Sequence, residues 1–291
     1  MFLRRISSMR RVPYYEESQY LDLIRETLTN GDRRIGRNGN VLSTFGYQMR
    51  FNLRNKTFPL LTTKRVAWQT CLHELLWFIC GSTDVTYLQN RGVRIWNGNA
   101  GKDKDLGPIY GHQWRYYNAP YSDCNTNYKG KGVDQLQNII DSLKNPEDRY
   151  SRRLILNAWN PCQLSEMKLP PCHVLSQYWV NSHNELHCHL YQRSGDIGLG
   201  VPFNIASYSA LTHILAHHCG LKPGEFVYSL GDAHIYEDHI SPLQEQIKRE
   251  CLPFPKLYIN THQPNIEEYR IYDFDVMKYN YHKKINMTMV V

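Results

Sequence analysis

Cys172 stands in the run Leu169-Pro170-Pro171-Cys172-His173. Two prolines fix the backbone ahead of it and the second withholds an N–H, so the thiol sits in a positioned turn at the mouth of a strand. The thiolate is the reactive form of cysteine, and an adjacent cation populates it. On this pentapeptide alone the residue is either a nucleophile or an inert packing group. Glu74 is the second anomaly, a carboxylate in His73-Glu74-Leu75-Leu76-Trp77-Phe78, on a helix with no polar face. Burial disfavours its charged form and raises its pKa, which is how a general acid or base is prepared. A structural carboxylate, paired with an arginine or capped by backbone donors, fits the same run.

Arginines form the third group. Arg152 and Arg153 precede one predicted strand, and Arg193 and Ser194 follow another, inside Tyr191-Gln192-Arg193-Ser194-Gly195-Asp196. Guanidinium forks match phosphate oxygens, and a neighbouring serine hydroxyl adds a donor. Arg37, in a Gly/Asn-rich turn, belongs with them. One surface arginine says little; several at element ends point to an anionic ligand. His213, His217 and His218 share a helix, but there is no HExxH glutamate and no third ligand, so no metal is expected. No Walker sequence and no GxGxxG after a strand indicates ATP or a dinucleotide.

The elements that must position these residues follow from periodicity. Residues 16–30 carry Tyr20, Leu23, Ile24 and Leu28 at helical spacing and stop at Gly31. Residues 41–53 alternate as a strand, 67–79 are apolar nearly all round as in a buried helix, and 134–144 form an amphipathic helix ended by Asn145-Pro146. Residues 85–132 read as loops with short helices. Strands are predicted at 154–159, 174–180 and 185–191, the last two as a hairpin, and helices at 204–219 and 236–250. With no repeat and no linker among 291 residues, a single mixed α+β domain is predicted.

Composition, 42% hydrophobic and 21% charged, is that of a globular protein, and no apolar run approaches the roughly 18 residues of a membrane helix. The net charge of +7 favours anionic partners, although lysines and arginines form no dense basic stripe, which speaks against nucleic-acid binding as the main role. Eight cysteines without CxxC or framework spacing are expected to be free thiols in a reducing compartment. A cytoplasmic protein is expected. The basic start, without an acid until Glu16, also fits a mitochondrial presequence, so a nuclear or mitochondrial pool stays open; residues 1–17 are read as a flexible extension ahead of a domain at 18–291.

Taken in order, His73-Glu-Leu-Leu-Trp-Phe78, Asp105-Leu-Gly-Pro-Ile-Tyr-Gly111, Ser151-Arg-Arg153, Leu169-Pro-Pro-Cys-His173, Leu190-Tyr-Gln-Arg-Ser-Gly-Asp196, Gly200-Val-Pro-Phe-Asn-Ile-Ala-Ser-Tyr208 and Gly231-Asp-Ala-His-Ile-Tyr236 resemble the thymidylate synthase family over roughly residues 18 to 291. The resemblance implies reductive methylation of dUMP to dTMP by 5,10-methylenetetrahydrofolate, the one-carbon and hydride donor, with no metal. Cys172 would add to pyrimidine C6, C5 would attack the folate methylene, and loss of the C5 proton with hydride transfer would give dTMP and dihydrofolate. Glu74 would handle protons through ordered water, with Tyr110 and His173 nearby. Arg193 would bind the phosphate and help keep Cys172 ionised, joined by Arg37, Ser194 and, from the other subunit of a homodimer, Arg152 and Arg153.

By the same resemblance Asn204 would read the uracil edge, His234 and Tyr236 would hold the ribose hydroxyl, and Gln192 would occupy a nucleotide-site position. Ile95, Trp96, Asp196, Leu199 and Phe203 would line the folate pocket, Asp196 also bordering the nucleotide. Met289, Val290 and Val291 would close over the bound pair. The implied fold packs helices on one sheet face and leaves the other for the dimer. Three departures stand out: the Arg37 turn is one residue shorter than the family's usual form, Asn97 follows Trp96 where aspartate is common, and Tyr281-His282-Lys283-Lys284 replaces a His-Pro pattern. The sister activity, hydroxymethylation of dUMP or dCMP, uses the same nucleophile and folate. Asn204 favours uracil over cytosine, since an amide both donates and accepts. RNA binding is possible for such a chain but not indicated.

Overall fold

The computed structural model describes residues 15–36 and 39–289. The basic extension expected at 1–17 therefore lies outside the described residues apart from its last three. Arg37 and Val290 lie outside them as well.

Helix α1 (Ser18–Asn30) buries Tyr20, Leu23 and Ile24 of the predicted stripe together with Leu21 and Thr27, while Leu28 packs partly buried against the core. Strands β1 (Asp32–Gly36) and β2 (Gly39–Asn52) follow. Next come α2 (Trp68–Ile79), the short α3 (Thr86–Gln89) and α4 (Tyr110–Tyr116), and α5 (Gln135–Lys144), capped by the Asp134 side chain on the Gln137 N–H. Strands β3 (Ile155–Asn157), β4 (His173–Val180) and β5 (Glu185–Asp196) lead into α6 (Gly200–His218) and β6 (Lys222–Tyr236). Helix α7 (Ile240–Gln246) and the pair β7 (Lys256–Ile259) and β8 (Phe274–Met277) complete the order.

One six-stranded sheet, β1-β2-β6-β5-β4-β3, forms the frame. Its pairs are antiparallel except β5 with β6, which are parallel because α6 crosses between them. The domain is α+β with a mixed sheet packed by helices. Alternate residues such as Tyr178, Leu190 and Tyr228 turn into the core, while Gln177, Trp179, His189 and Tyr191 point outward and stay exposed. Helix α6, buried on almost every side, lies against β5, β6 and α2. Among the described residues no helix is long and apolar enough to cross a membrane.

Four elements differ from the sequence reading. Strand β5 runs on to Asp196 because Gln192, Ser194, Gly195 and Asp196 pair with Leu230, Asp232, Ala233 and His234. Arg193 and Ser194 are therefore inside a strand and not after one. Strand β6 is fifteen residues long where none was expected, since Pro223, Gly224, Gly231 and Asp232 all read as breakers. Helix α6 starts at Gly200, four residues early, with Pro202 in the first turn, where its missing N–H costs nothing. The helix expected over 236–250 is a 3₁₀ turn followed by α7 alone.

Candidate active site

Cys172 lies immediately before β4, and the next strand holds it. The Arg193 backbone N–H donates to the Cys172 carbonyl at 2.9 Å. The guanidinium reaches the same turn, giving Nε–H to the Pro171 carbonyl and Nη2–H to the Pro170 carbonyl, both at 2.9 Å, with Nη2 3.9 Å from Cys172 Sγ. Its face rests 5.4 Å from the Trp159 ring. The Cys172 N–H donates to the Tyr110 hydroxyl at 2.7 Å. One arginine thus both braces the proline turn and supplies positive charge to the thiol. Cys172, Arg193, Ser194, Asp196, His234 and Tyr236 line one cavity of about 560 Å³.

Behind the thiol runs a buried polar chain. Tyr228 donates to Gln192 Oε1 at 2.7 Å, Gln192 Nε2 donates to Asn204 Oδ1 at 3.0 Å, and Asn204 Nδ2 meets His173 Nε2 at 2.7 Å. Asn204 acts as donor to His173, so the neutral imidazole carries its proton on Nδ1. Burial pushes the His173 pKa down to about 4, and the Asn204 bond offsets only part of that. His173 is thus a neutral group at physiological pH. The Asn204 carboxamide keeps a second N–H and a second lone pair, the two features needed to face a lactam edge.

Glu74 is buried on α2, and Trp96 Nε1–H donates to its Oε1 at 2.7 Å. Burial raises the carboxyl pKa to about 7 against the lowering effect of that bond. The group is therefore half-ionised near neutrality, the condition for moving protons in either direction. Aromatic rings connect it to the nucleophile: Trp96 lies 6.1 Å from Trp77 and 6.2 Å from Tyr110, and Tyr110 lies 5.0 Å from the His173 ring. Ile95 and Phe203 pack against this core. Leu199 caps the start of α6, beside the Asp196 carboxylate, whose Oδ1 accepts the Gly198 N–H at 2.8 Å.

Residues that the sequence reading missed complete the opposite wall. Arg34 of β1 reaches Ser43 and Asp232. Asp232 also accepts from Ser43 Oγ at 2.7 Å and lies 3.3 Å from His234 Nδ1. Burial works to raise the Asp232 pKa, but the Ser43 and Arg34 bonds outweigh it and leave it lowered. Arg34 and Asp232 both line the cavity. For Asp232 the motif Gly231-Asp-Ala-His234 was a signal; β1, Asp-Arg-Arg-Ile-Gly, does not alternate and gave none for Arg34. Tyr228, which orients Gln192, was hidden in an unpredicted strand.

Not every expected residue reaches this cavity. Arg152 and Arg153 are exposed in the turn before β3, the far edge strand, and do not line the cavity of their own chain. Among the described residues no group of three or more His, Cys, Asp or Glu is placed to hold a metal ion. His213 instead bonds the Thr57 carbonyl and His217 the Thr261 carbonyl.

A family profile described as thymidylate synthase matches residues 18–291. The chain is 52% identical over 289 residues to a thymidylate synthase of Equine herpesvirus 2 (strain 86/87), covering 94% of this chain and 98% of that protein. It is 51% identical over 293 residues to the Homo sapiens thymidylate synthase, covering 96% and 92%. It is also 50% identical over 290 residues to bifunctional dihydrofolate reductase-thymidylate synthase 2 of Arabidopsis thaliana, covering 95% of this chain and 51% of that protein. The chain thus spans about half the length of the bifunctional plant relatives.

Proposed function

We propose that this chain, which belongs to the thymidylate synthase family, methylates dUMP reductively to dTMP with 5,10-methylenetetrahydrofolate, releasing dihydrofolate. The observation that carries the reading is the placement of Cys172 Sγ 3.9 Å from the Arg193 guanidinium, on the wall of a cavity whose far side holds His234 and Tyr236. The thiolate adds to pyrimidine C6, moving the C5=C6 electron pair through C5 towards O4. The Asn204 amide, held by Gln192 and His173, faces the uracil O4 and N3–H edge. Arg193 and Ser194 take the phosphate, with Arg37 beside them, and Arg152 and Arg153 of a second copy close that site.

Carbon C5 then attacks the folate methylene carbon, releasing its bond to nitrogen. Loss of the C5 proton expels the remaining folate nitrogen and leaves an exocyclic methylene on C5; hydride from the folate then turns it into the methyl group as C5=C6 re-forms and Cys172 Sγ leaves. Glu74, with a pKa of about 7, suits the proton steps, and Tyr110 and neutral His173 hold the thiol loop and Asn204 in place. Ile95, Trp96, Leu199 and Phe203 form an apolar wall that excludes water during hydride transfer, and Asp196 offers a carboxylate to the folate's amine-bearing ring. Residues 18–291 act as one catalytic domain, and the active unit is a homodimer joined through the open sheet face.

Mass analysis with 5-fluoro-dUMP and methylenetetrahydrofolate tests the assignment. The fluorine blocks loss at C5, so a covalent ternary adduct should accumulate on the wild-type protein and be absent from Cys172→Ala. Folded wild-type protein that forms no adduct, and produces no dihydrofolate absorbance with dUMP, contradicts the reading.

A further inference from the structure

After β8 the chain runs back towards the cavity, and two buried side chains meet it. The Lys64 ammonium donates to the Gly198 carbonyl and lies 4.0 Å from Met287 Sδ. One residue further along, the Thr288 carbonyl lies 2.7 Å from His239 Nε2. His239 is fully buried, and its other ring nitrogen, Nδ1, stands 3.5 Å from Asp196 Oδ1. Gly198 makes room for this arrangement: a Cβ there would lie 2.6 Å from His239 Nδ1 and 3.1 Å from Met287 Sδ. The imidazole therefore spans a cavity carboxylate and the backbone of the terminal segment.

The protonation state of that ring follows from its two partners. A carbonyl oxygen only accepts, so Nε2 must carry a proton. In the neutral ring Nδ1 would then present a lone pair to the Asp196 carboxylate, which also only accepts. The imidazolium donates to the carbonyl through Nε2 and sets its charge 3.5 Å from the carboxylate, an ion pair in place of a clash of lone pairs. We propose that His239 is a positioning residue that, as an imidazolium, clasps the terminal segment at Thr288 to the Asp196 corner of the site. Closure of that segment over bound folate then weakens when the ring loses its proton. That last step rests on the synthase reading; the clasp itself does not.

The groups facing the ring from each neighbouring element are Asp196 of β5, Lys64 of the segment before α2, the Tyr236 ring at 5.7 Å from the end of β6, and the Thr288 carbonyl. On its own turn Glu237 and Asp238 are exposed. Burial opposes the charge and Lys64 repels it, but Asp196 and the Thr288 carbonyl prevail, leaving the pKa above the ordinary imidazole value. Lys64 is itself brought down to about 8 by burial, so its repulsion fades at higher pH. The contribution of the clasp is complete below the ordinary histidine value and is lost as pH rises through the raised one.

Carboxypeptidase trimming of the intact protein reads the clasp directly, with a free peptide of the same terminal sequence correcting for the protease's own pH profile. The corrected rate of release past Met289 should rise severalfold between pH 6 and pH 9, as the clasp is lost. In His239→Gln it should be fast and flat across that range, and the variant should raise KM for the folate more than KM for dUMP. A wild-type ratio independent of pH overturns the proposal, whether or not the glutamine variant folds. Trimming needs no turnover, so a protein lacking the synthase activity would still show or refute the clasp.

Discussion

Burying a carboxylate beside Leu75, Trp77 and Phe78 costs folding free energy in proportion to how far its titration is displaced. With a pKa of about 7 in place of 4.5, Glu74 binds a proton more tightly in the folded chain than in the unfolded one. Stability therefore falls as pH rises from about 4.5 to 7, by about 3 kcal/mol in all. Glu74→Gln removes that loss. The variant should melt higher than wild type at pH 8 while kcat drops by about 10²–10⁴, the usual range for losing a general acid or base. Scanning calorimetry beside a steady-state assay checks both, and a variant neither more stable nor slower contradicts the assignment. Trp96→Phe deletes the N–H that favours the carboxylate, so the inflection near pH 7 in the rate profile should move to higher pH. Glu74 was legible in the sequence because charge on an all-apolar helix is an anomaly. Arg34 and Asp232 were not, because an arginine and an aspartate in a polar strand look like solvated surface until β1 and β6 are seen to flank one cavity.

Elements place these groups, and the polar ones were the harder to read. The α1 stripe, the α2 core and the β4–β5 hairpin follow a period of 3.6 or 2, and the structure has them within a few residues of the expected bounds. Strand β6 and the second half of β5 do not, since their side chains face a ligand cavity and carry Gln192, Arg193, Asp232 and His234 in place of an apolar alternation. Their pairing is maintained by backbone bonds and by neighbours, information that lies far off in sequence. Glycines mark similar compromises. Gly107, two residues before the start of the Ile109-Tyr110 turn into α4, has φ of 74°, and a Cβ there would collide with the Glu166 carbonyl. Gly107→Ala should therefore cost about 1–3 kcal/mol through strain and displacement. Since Tyr110 anchors the Cys172 N–H, the variant should also slow adduct formation with 5-fluoro-dUMP. A melting temperature and an adduct rate both equal to wild type would show that this turn is not what positions the thiol.

At the scale of the whole molecule, one sheet face carries a run of exposed side chains among the described residues. Across β3, β4, β5 and β6, the row Ile155, Gln177, His189 and Val227 crosses it, flanked by Trp179 and Tyr191. Trp179 is 51% exposed and Tyr191 40%, a costly display for a monomer. The same edge carries Arg152 and Arg153, which do not line their own chain's cavity. A homodimer packed through this face would cover the aromatics and carry the arginines to the partner's phosphate site, an isologous arrangement in which each chain completes the other. Two inactive variants then make a decisive mixture. Cys172→Ala retains the arginines but no nucleophile; the double variant Arg152→Ala, Arg153→Ala retains the nucleophile but no trans arginines. Unfolded together in equal amounts and refolded, half of the dimers should be mixed, and each mixed dimer holds one intact site of two. Activity should recover to about a quarter of wild type under random pairing. If the arginines serve their own chain, every mixed dimer has one site without a nucleophile and one without arginines, and mixing restores nothing.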